Sequence, residues 1–270
     1  MMGTIIGLSS MNSDTKPPIF VLGCQRSGTS LLRRLLDSHS NITCPPESAF
    51  IVQLSRIYEI KRALQGLRDM GFSKAEVLEQ MRVFAVHFFE KYGRARGKKR
   101  WADKTCHYVN HMDTIDLMFG GEVVYIGMVR NGLDVAYSLC DFDWGVLKPY
   151  LANGTEKPIA AVRFWKDQNT KLLDFRDKVK DRFYLIKYED LTTSPESVLP
   201  PLFEFLGEPW EKHIINYNEF EHNSGFEDPK VSRYKAIETN TGNYKKWPMD
   251  IQQRVCGEAH GLLKRFDYVR

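Results

Sequence analysis

The segment that most narrows what this chain can become runs from Pro18 to His39: PIFVLGC, QRSGTS, LLRRLLDSH. Pro18 to Cys24 is short and almost wholly apolar, as a buried strand must be. Gln25 to Ser30 is small and polar, a turn. Leucines at 31, 32, 35 and 36 then repeat with helical spacing, and Arg33 and Arg34 fall on the other face. A strand that passes through a glycine turn straight into a helix predicts a crossover to a parallel neighbour, in a sheet covered by helices on both sides. The unit recurs. Gly121 to Arg130 (GEVVYIGMVR) is a second strand and leads through Asn131-Gly132 into a helix. Arg182 to Leu191 (RFYLIKYEDL) is a third, preceded by a helix over Ile159 to Val179. Helix is expected from Ser48 to Lys91 with breaks at Gly66 and Gly71, and again over Gln252 to Lys264. The expected fold is one α/β domain over residues 18–270, three layers with a central parallel sheet flanked by helices. A flexible Ser/Asn-rich leader, residues 1–17, precedes it.

Composition closes off several functions. Apolar residues make up 43% of the 270, enough for a sizeable core, so a disordered chain is excluded. The 38 Lys+Arg against 34 Asp+Glu leave +4, too small a surplus to mark a nucleic-acid binder. Five cysteines (Cys24, Cys44, Cys106, Cys140, Cys256) contain no C-x-x-C pair. That argues against a disulfide scaffold or a four-cysteine zinc centre, and for reduced thiols in a cytoplasmic protein. His107 and His111 lie four apart, but no third ligand falls in pattern, so no metal is expected. No run approaches the ~20 apolar residues of a membrane span, and no signal-peptide pattern opens the sequence. The expectation is a soluble cytoplasmic protein with neither membrane nor nucleic acid as partner.

The turn between the first strand and helix has the chemistry of an anion cradle. Gly28 permits a tight turn, and the amides of Ser27 to Leu31 face the positive end of the helix dipole. The hydroxyls of Ser27, Thr29 and Ser30 add neutral donors, and Arg26 adds a guanidinium fork. The nucleotide-hydrolase form of such a loop, G-x-x-x-x-G-K-[ST], needs Lys after the last Gly. Thr29 stands there instead, which speaks against an ATPase or kinase. From these residues alone, a turn that serves packing remains an equal reading.

VLGCQRSGTSLLRRLLDSH resembles the 5′-phosphosulfate-binding loop of the sulfotransferases, in particular the tyrosylprotein and bacterial branches. Their donor is 3′-phosphoadenosine 5′-phosphosulfate (PAPS), and 3′-phosphoadenosine 5′-phosphate (PAP) is the product. The resemblance implies a P-loop NTPase-like fold. It implies that Ser27, Gly28, Thr29 and Ser30 hold the 5′-phosphate, with Arg26 beside the sulfuryl group. MVRNGLDVAYSL is similar to the family's second signature, which implies that Arg130 and Ser138 bind the 3′-phosphate. KYEDL resembles a third segment and places Tyr188 near the nucleotide, although a core tyrosine would look the same. ETNTGNYKKW is similar to the loop that closes over the adenosine, with Thr241, Gly242 and Lys246 as contacts. Phe142 stands where the tyrosylprotein branch has a further arginine.

Sulfuryl transfer needs a general base for the acceptor and fixed cations for the leaving phosphate oxygen. By resemblance Glu47, in TCPPESAF, is the base, and Lys104, in WADKTCHYV, contacts the bridging oxygen; Cys106 replaces a usual proline. His107 is the rival base, near neutrality by its chemistry. The basic run Lys91 to Lys104 either attracts an anionic acceptor or is a solvated loop. The resulting expectation is a PAPS-dependent sulfotransferase acting on a small-molecule hydroxyl or amine. A protein tyrosine or a carbohydrate is the alternative acceptor. A small-molecule kinase with a degenerate loop and a non-catalytic nucleotide-binding module are the other classes.

Overall fold

In a computed structural model of the chain, residues 16–143, 145–228, 231 and 236–269 are described, apart from the Asn153 side chain. The leader expected over 1–17 lies, but for Lys16 and Pro17, outside the described residues. The first unit forms as its pattern predicts. Strand β1 (Ile19–Gly23) is buried along its whole length and turns into helix α1 (Thr29–Asp37). Short β2 (Ile42–Thr43) follows, then helices α2 (Phe50–Glu59), α3 (Lys61–Asp69) and α4 (Lys74–Ala95). Next come β3 (Arg100–Lys104), α5 (Met112–Met118), β4 (Val124–Val129) and α6 (Gly132–Cys140). Helix α7 (Lys157–Val179), β5 (Phe183–Lys187), α8 (Tyr188–Thr193), α9 (Pro195–Leu206) and α10 (Met249–Arg265) complete the order.

All five strands are parallel, in the spatial order β2-β3-β1-β4-β5. The alternation of side chains along β1 divides the core. Phe20 and Leu22 point into one layer with Tyr125 and Trp165, while Ile19 and Val21 point into the other with Leu32 and Phe203. Phe20 meets Trp101, Tyr108 and Phe119 edge-on at 5.7, 5.4 and 5.3 Å, contacts worth ~0.5–1.5 kcal/mol each beyond burial. Among the described residues no helix is long and apolar enough to cross a membrane.

Three local expectations are corrected. The long helical region does break at Gly71, but Gly66 lies inside α3, and the other break falls at Ile60, whose backbone is extended. Helix α4 restarts at a capping box, Ser73 Oγ accepting from Glu76 N at 3.2 Å and Glu76 from Ser73 N at 2.8 Å. Arg33 does not face solvent. It is 0% exposed, donating to Pro45 O (3.2 Å) and paired with Glu227 (3.4 Å). Finally, the basic run is no single loop: it begins inside α4, which ends at Ala95, and closes as strand β3, Arg100–Lys104, beside the centre of the sheet. Lys91, Arg94 and Lys99 are exposed, but the strand's charges are buried with partners: Arg100 on Leu206 O (2.6 Å) and Glu208 (3.1 Å), Asp103 on Ser48 Oγ (2.6 Å), and Lys104 on Glu47 (2.6 Å). A strand made of paired charges carries no apolar alternation for sequence reasoning to detect.

Candidate functional site

The strand order has a geometric consequence. From β1 the chain crosses one way to β2 and β3 and the other way to β4 and β5, so a crevice opens outside the carboxyl end of β1. The candidate residues of the sheet sit along that edge. Lys104 ends β3, Arg130 follows β4, Tyr188 follows β5, and the Gln25 to Ser30 turn follows β1. Glu47 comes from the loop after β2. A cavity of about 450 Å³ opens here, lined by the turn, Glu47, Cys106 and His107 on one side and by Phe142, Val146 and Gly225 to Asp228 on the other.

The turn itself is built for close approach. Gly28 adopts φ +92°, and a Cβ there would lie 2.4 Å from Tyr188 Cδ2. Helix α1 starts at Thr29 without a side-chain cap among the described residues, but Ser27 N donates to Cys24 O (3.1 Å) and Leu31 N to Gly28 O (3.0 Å), so the expected amide cradle narrows to Gly28, Thr29 and Ser30. Ser27 Oγ, Gln25 Oε1 and Arg130 Nε are buried without a hydrogen-bond partner among the described residues. Unpaired buried polar atoms cost ~1–3 kcal/mol each, so two in the turn and one on Arg130, which bonds the turn at Arg26 O, mark a place shaped for a polar ligand.

Two clusters flank the turn. In the first, Lys104 Nζ donates to Glu47 Oε1 at 2.6 Å and to Ser30 Oγ at 3.4 Å. Cys106 Sγ donates to the same Glu47 oxygen at 3.3 Å and lies 3.6 Å from Thr29 Oγ1. Lys104 is 1% exposed. Burial disfavours its ammonium, but the Glu47 carboxylate at 2.6 Å favours it and its pKa is raised. Burial likewise pushes the Cys106 thiol up to about 11, so it remains a neutral donor. His107 is exposed and lines the same cavity from the next position. His111 turns away to Glu59 at 2.8 Å, so the two histidines do not share a site.

In the second cluster, Arg26 holds a left-handed backbone (φ +71°) that aims its side chain across the crevice. Its Nε donates to Ser138 Oγ at 2.9 Å, its Nη1 pairs with Asp228 at 2.9 Å, and its guanidinium stacks on Phe142 at 4.6 Å. Arg130 donates to Arg26 O at 2.9 Å and to Asn240 O, and lies over the Tyr188 ring at 4.5 Å. Arg26, Ser138, Arg130, Tyr188 and Gly28 are thereby in one contact network. Lys246 and Thr241 are exposed on the neighbouring loop, Lys246 bonded to Asn243 Oδ1 at 3.0 Å. Gly242 does not present its amide to the crevice, since that N–H donates to Asp134 Oδ2 at 2.8 Å.

Sequence reasoning missed two features. One is the Gly225 to Asp228 wall: Phe226 O accepts from Glu47 N (3.0 Å), and Asp228 N donates to Ser30 Oγ (3.2 Å). Nothing in that loop's composition announces it. The other is Asp134, whose position midway between Arg130 and Ser138 was a signal in plain view.

The sulfotransferase family model matches residues 17–212. A protein-tyrosine sulfotransferase of Drosophila melanogaster is 25% identical over 76% of this chain and 40% of its own length. Nodulation protein NoeE of Sinorhizobium fredii is 27% identical over 90% of this chain and 64% of its own. The chain thus spans less than two thirds of either relative. Among solved structures, the sulfotransferase domain of the Synechococcus PCC 7002 olefin synthase superposes with TM-score 0.64 at 22% identity, over 94% of this chain and 97% of that one. Mouse sulfotransferase SULT7A1, solved with PAP, superposes at 0.52 and 13% identity over 92% and 85%. These structural likenesses carry the fold. With a family match over most of its length, and with the motifs gathered at one crevice, this chain belongs to the sulfotransferase family.

Proposed function

We propose that the chain transfers a sulfuryl group from PAPS to a hydroxyl or amine of a small-molecule acceptor, with Glu47 as the general base. The observation that carries the reading is the Glu47–Lys104 pair, 2.6 Å apart, with Glu47 lining the cavity at the phosphate-type turn and Lys104 buried behind it. The donor's fit is supported by the partnerless Ser27 Oγ, Gln25 Oε1 and Arg130 Nε and by Gly28, where no side chain could stand. The mouse neighbour's PAP complex agrees with it. Bound PAPS would supply an activated sulfuryl group on a phosphate oxygen.

The chain's own residues do the rest. Ser27 to Ser30 and the start of α1 hold an anion by neutral donors and a helix dipole. Arg26, Arg130, Ser138 and Lys246 supply the side-chain contacts of a doubly anionic nucleotide, beside Tyr188. Lys104, kept protonated, fixes a positive charge against Ser30. Glu47 accepts the acceptor's proton, while Lys104 and Cys106 hold one of its oxygens and set the carboxylate's orientation. Exposed His107 orients the acceptor. Phe142, Val146 and Phe226 give the acceptor side an apolar wall.

Calorimetry with PAP and ATP, followed by mass spectrometry of acceptor pools incubated with labelled PAPS, tests the proposal. The expected results are PAP binding in preference to ATP and a sulfated small molecule. Tight ATP binding with no PAP binding would refute the donor. Sulfation of tyrosine peptides or glycans alone would refute the acceptor class.

A further inference from the structure

The loop over residues 240–246 enters the site from far along the chain, and the Asp134 carboxylate receives three of its amides there. Asp134 lies on α6, four residues after Arg130 and four before Ser138. Asp134 and Ser138 therefore share one face of α6, while Arg130 precedes its N-cap, Asn131. Asp134 is only 2% exposed. Its Oδ2 accepts from Gly242 N at 2.8 Å, and its Oδ1 accepts from Asn243 N at 2.7 Å and Tyr244 N at 3.4 Å. A carboxylate that receives successive backbone amides makes the same contact as an anion in a backbone nest. Gly242, at φ +76°, supplies the left-handed turn that points these amides one way. The clamped loop then returns a carbonyl, Asn240 O, to Arg130, and Asn240 N to the Tyr188 hydroxyl at 3.3 Å.

We propose that Asp134 is a positioning residue for donor binding: it occupies the loop's amides as an internal anion and sets the loop's place beside Arg130 and Tyr188. Phosphate recognition on this side then falls to side chains, Arg130, Ser138 and Lys246, rather than to the loop backbone. The inference rests on the donor reading above.

The test compares Asp134→Ala and Asp134→Asn with the wild type. Asp134→Ala weakens PAP binding in calorimetry about tenfold or more, because the loop must be ordered anew at each binding event. Asp134→Asn, which keeps one acceptor oxygen, weakens it less. The donor KM rises by more than kcat falls, and the acceptor KM stays put. Wild-type PAP affinity in the Ala variant, or equal losses in donor and acceptor KM, would overturn the proposal. Hydrogen exchange on the ligand-free wild type is independent of variant folding. Protected Gly242 and Asn243 amides support the clamp, and rapid exchange of both overturns it. If the wild type fails to bind PAP while these amides are protected, the donor reading has failed and the clamp has not.

Discussion

Gly28→Ala probes the site at its tightest point. The glycine sits at φ +92°, ψ +12°, and an added Cβ would lie 2.4, 2.9 and 3.4 Å from Cδ2, Cε2 and Cγ of Tyr188. Carbon atoms prefer ~3.5–4.0 Å, so the ring or the turn must shift by about 1 Å. Neither moves alone. Tyr188 is 6% exposed, carries Arg130 on its face at 4.5 Å, and bonds Glu238 O at 3.3 Å. A left-handed alanine costs ~1–2 kcal/mol, and forced repacking adds ~1–3 kcal/mol. The total, ~2–5 kcal/mol, lowers Tm by roughly 2–4 °C per kcal/mol in a domain of this size. PAP affinity should fall at least tenfold, because the displaced ring takes Arg130 with it. Scanning calorimetry and titration calorimetry read the two effects. Gly66→Ala is the control: nothing lies within 4 Å of the added carbon, and an alanine in that helix stabilises by ~0.5–1 kcal/mol. If Gly28→Ala matched the control in Tm and bound PAP like the wild type, the packing of Tyr188 under the turn would be refuted.

Glu47→Gln should cut kcat by ~10²–10⁴ with PAP binding retained, whereas His107→Gln should mainly raise the acceptor KM; the reverse pattern makes His107 the base. Asp103, 0% exposed, has its carboxyl pushed by burial from 3.8 to about 6 despite bonds from Ser48 and Tyr108. The folded state therefore holds that proton more tightly than the unfolded chain. Its contribution is fully present below pH 3.8 and is lost as pH rises through about 6, a change of about 3 kcal/mol. Denaturant titrations from pH 3.5 to 7 should show this decline in the wild type relative to Asp103→Asn; parallel curves would contradict it. Arg100→Met removes one partner of the buried Glu208 carboxylate, which keeps Lys16 (3.1 Å) and Asn41 (3.2 Å), and should cost ~1–3 kcal/mol of stability without altering PAP affinity. A selective loss of PAP binding would instead tie Arg100 to the site.

Much of the site was legible because it is carried by local units. Turn residues after apolar runs placed Gly28, Arg130 and Tyr188 at strand ends, and a parallel sheet puts all such ends on one edge. Strand β3 was illegible. RWADK hides a sheet strand beneath buried charges, which take on meaning only beside Glu47, Ser48 and Glu208. The +4 total was equally mute, although Arg26, Lys104, Arg130 and Lys246 all come to one crevice or its neighbouring loop.

The sequence alone determined the strand–turn–helix units, their parallel sheet and the edge where the motifs meet, since each follows from short-range periodicity and turn chemistry. Only the tertiary structure decided which charges pair. Lys104 and Glu47 are 57 residues apart, Arg100 and Glu208 are 108, and Arg33 and Glu227 are 194. Such partners share no local pattern. They are selected when burial strips water from a charge and the nearest opposite group must replace it.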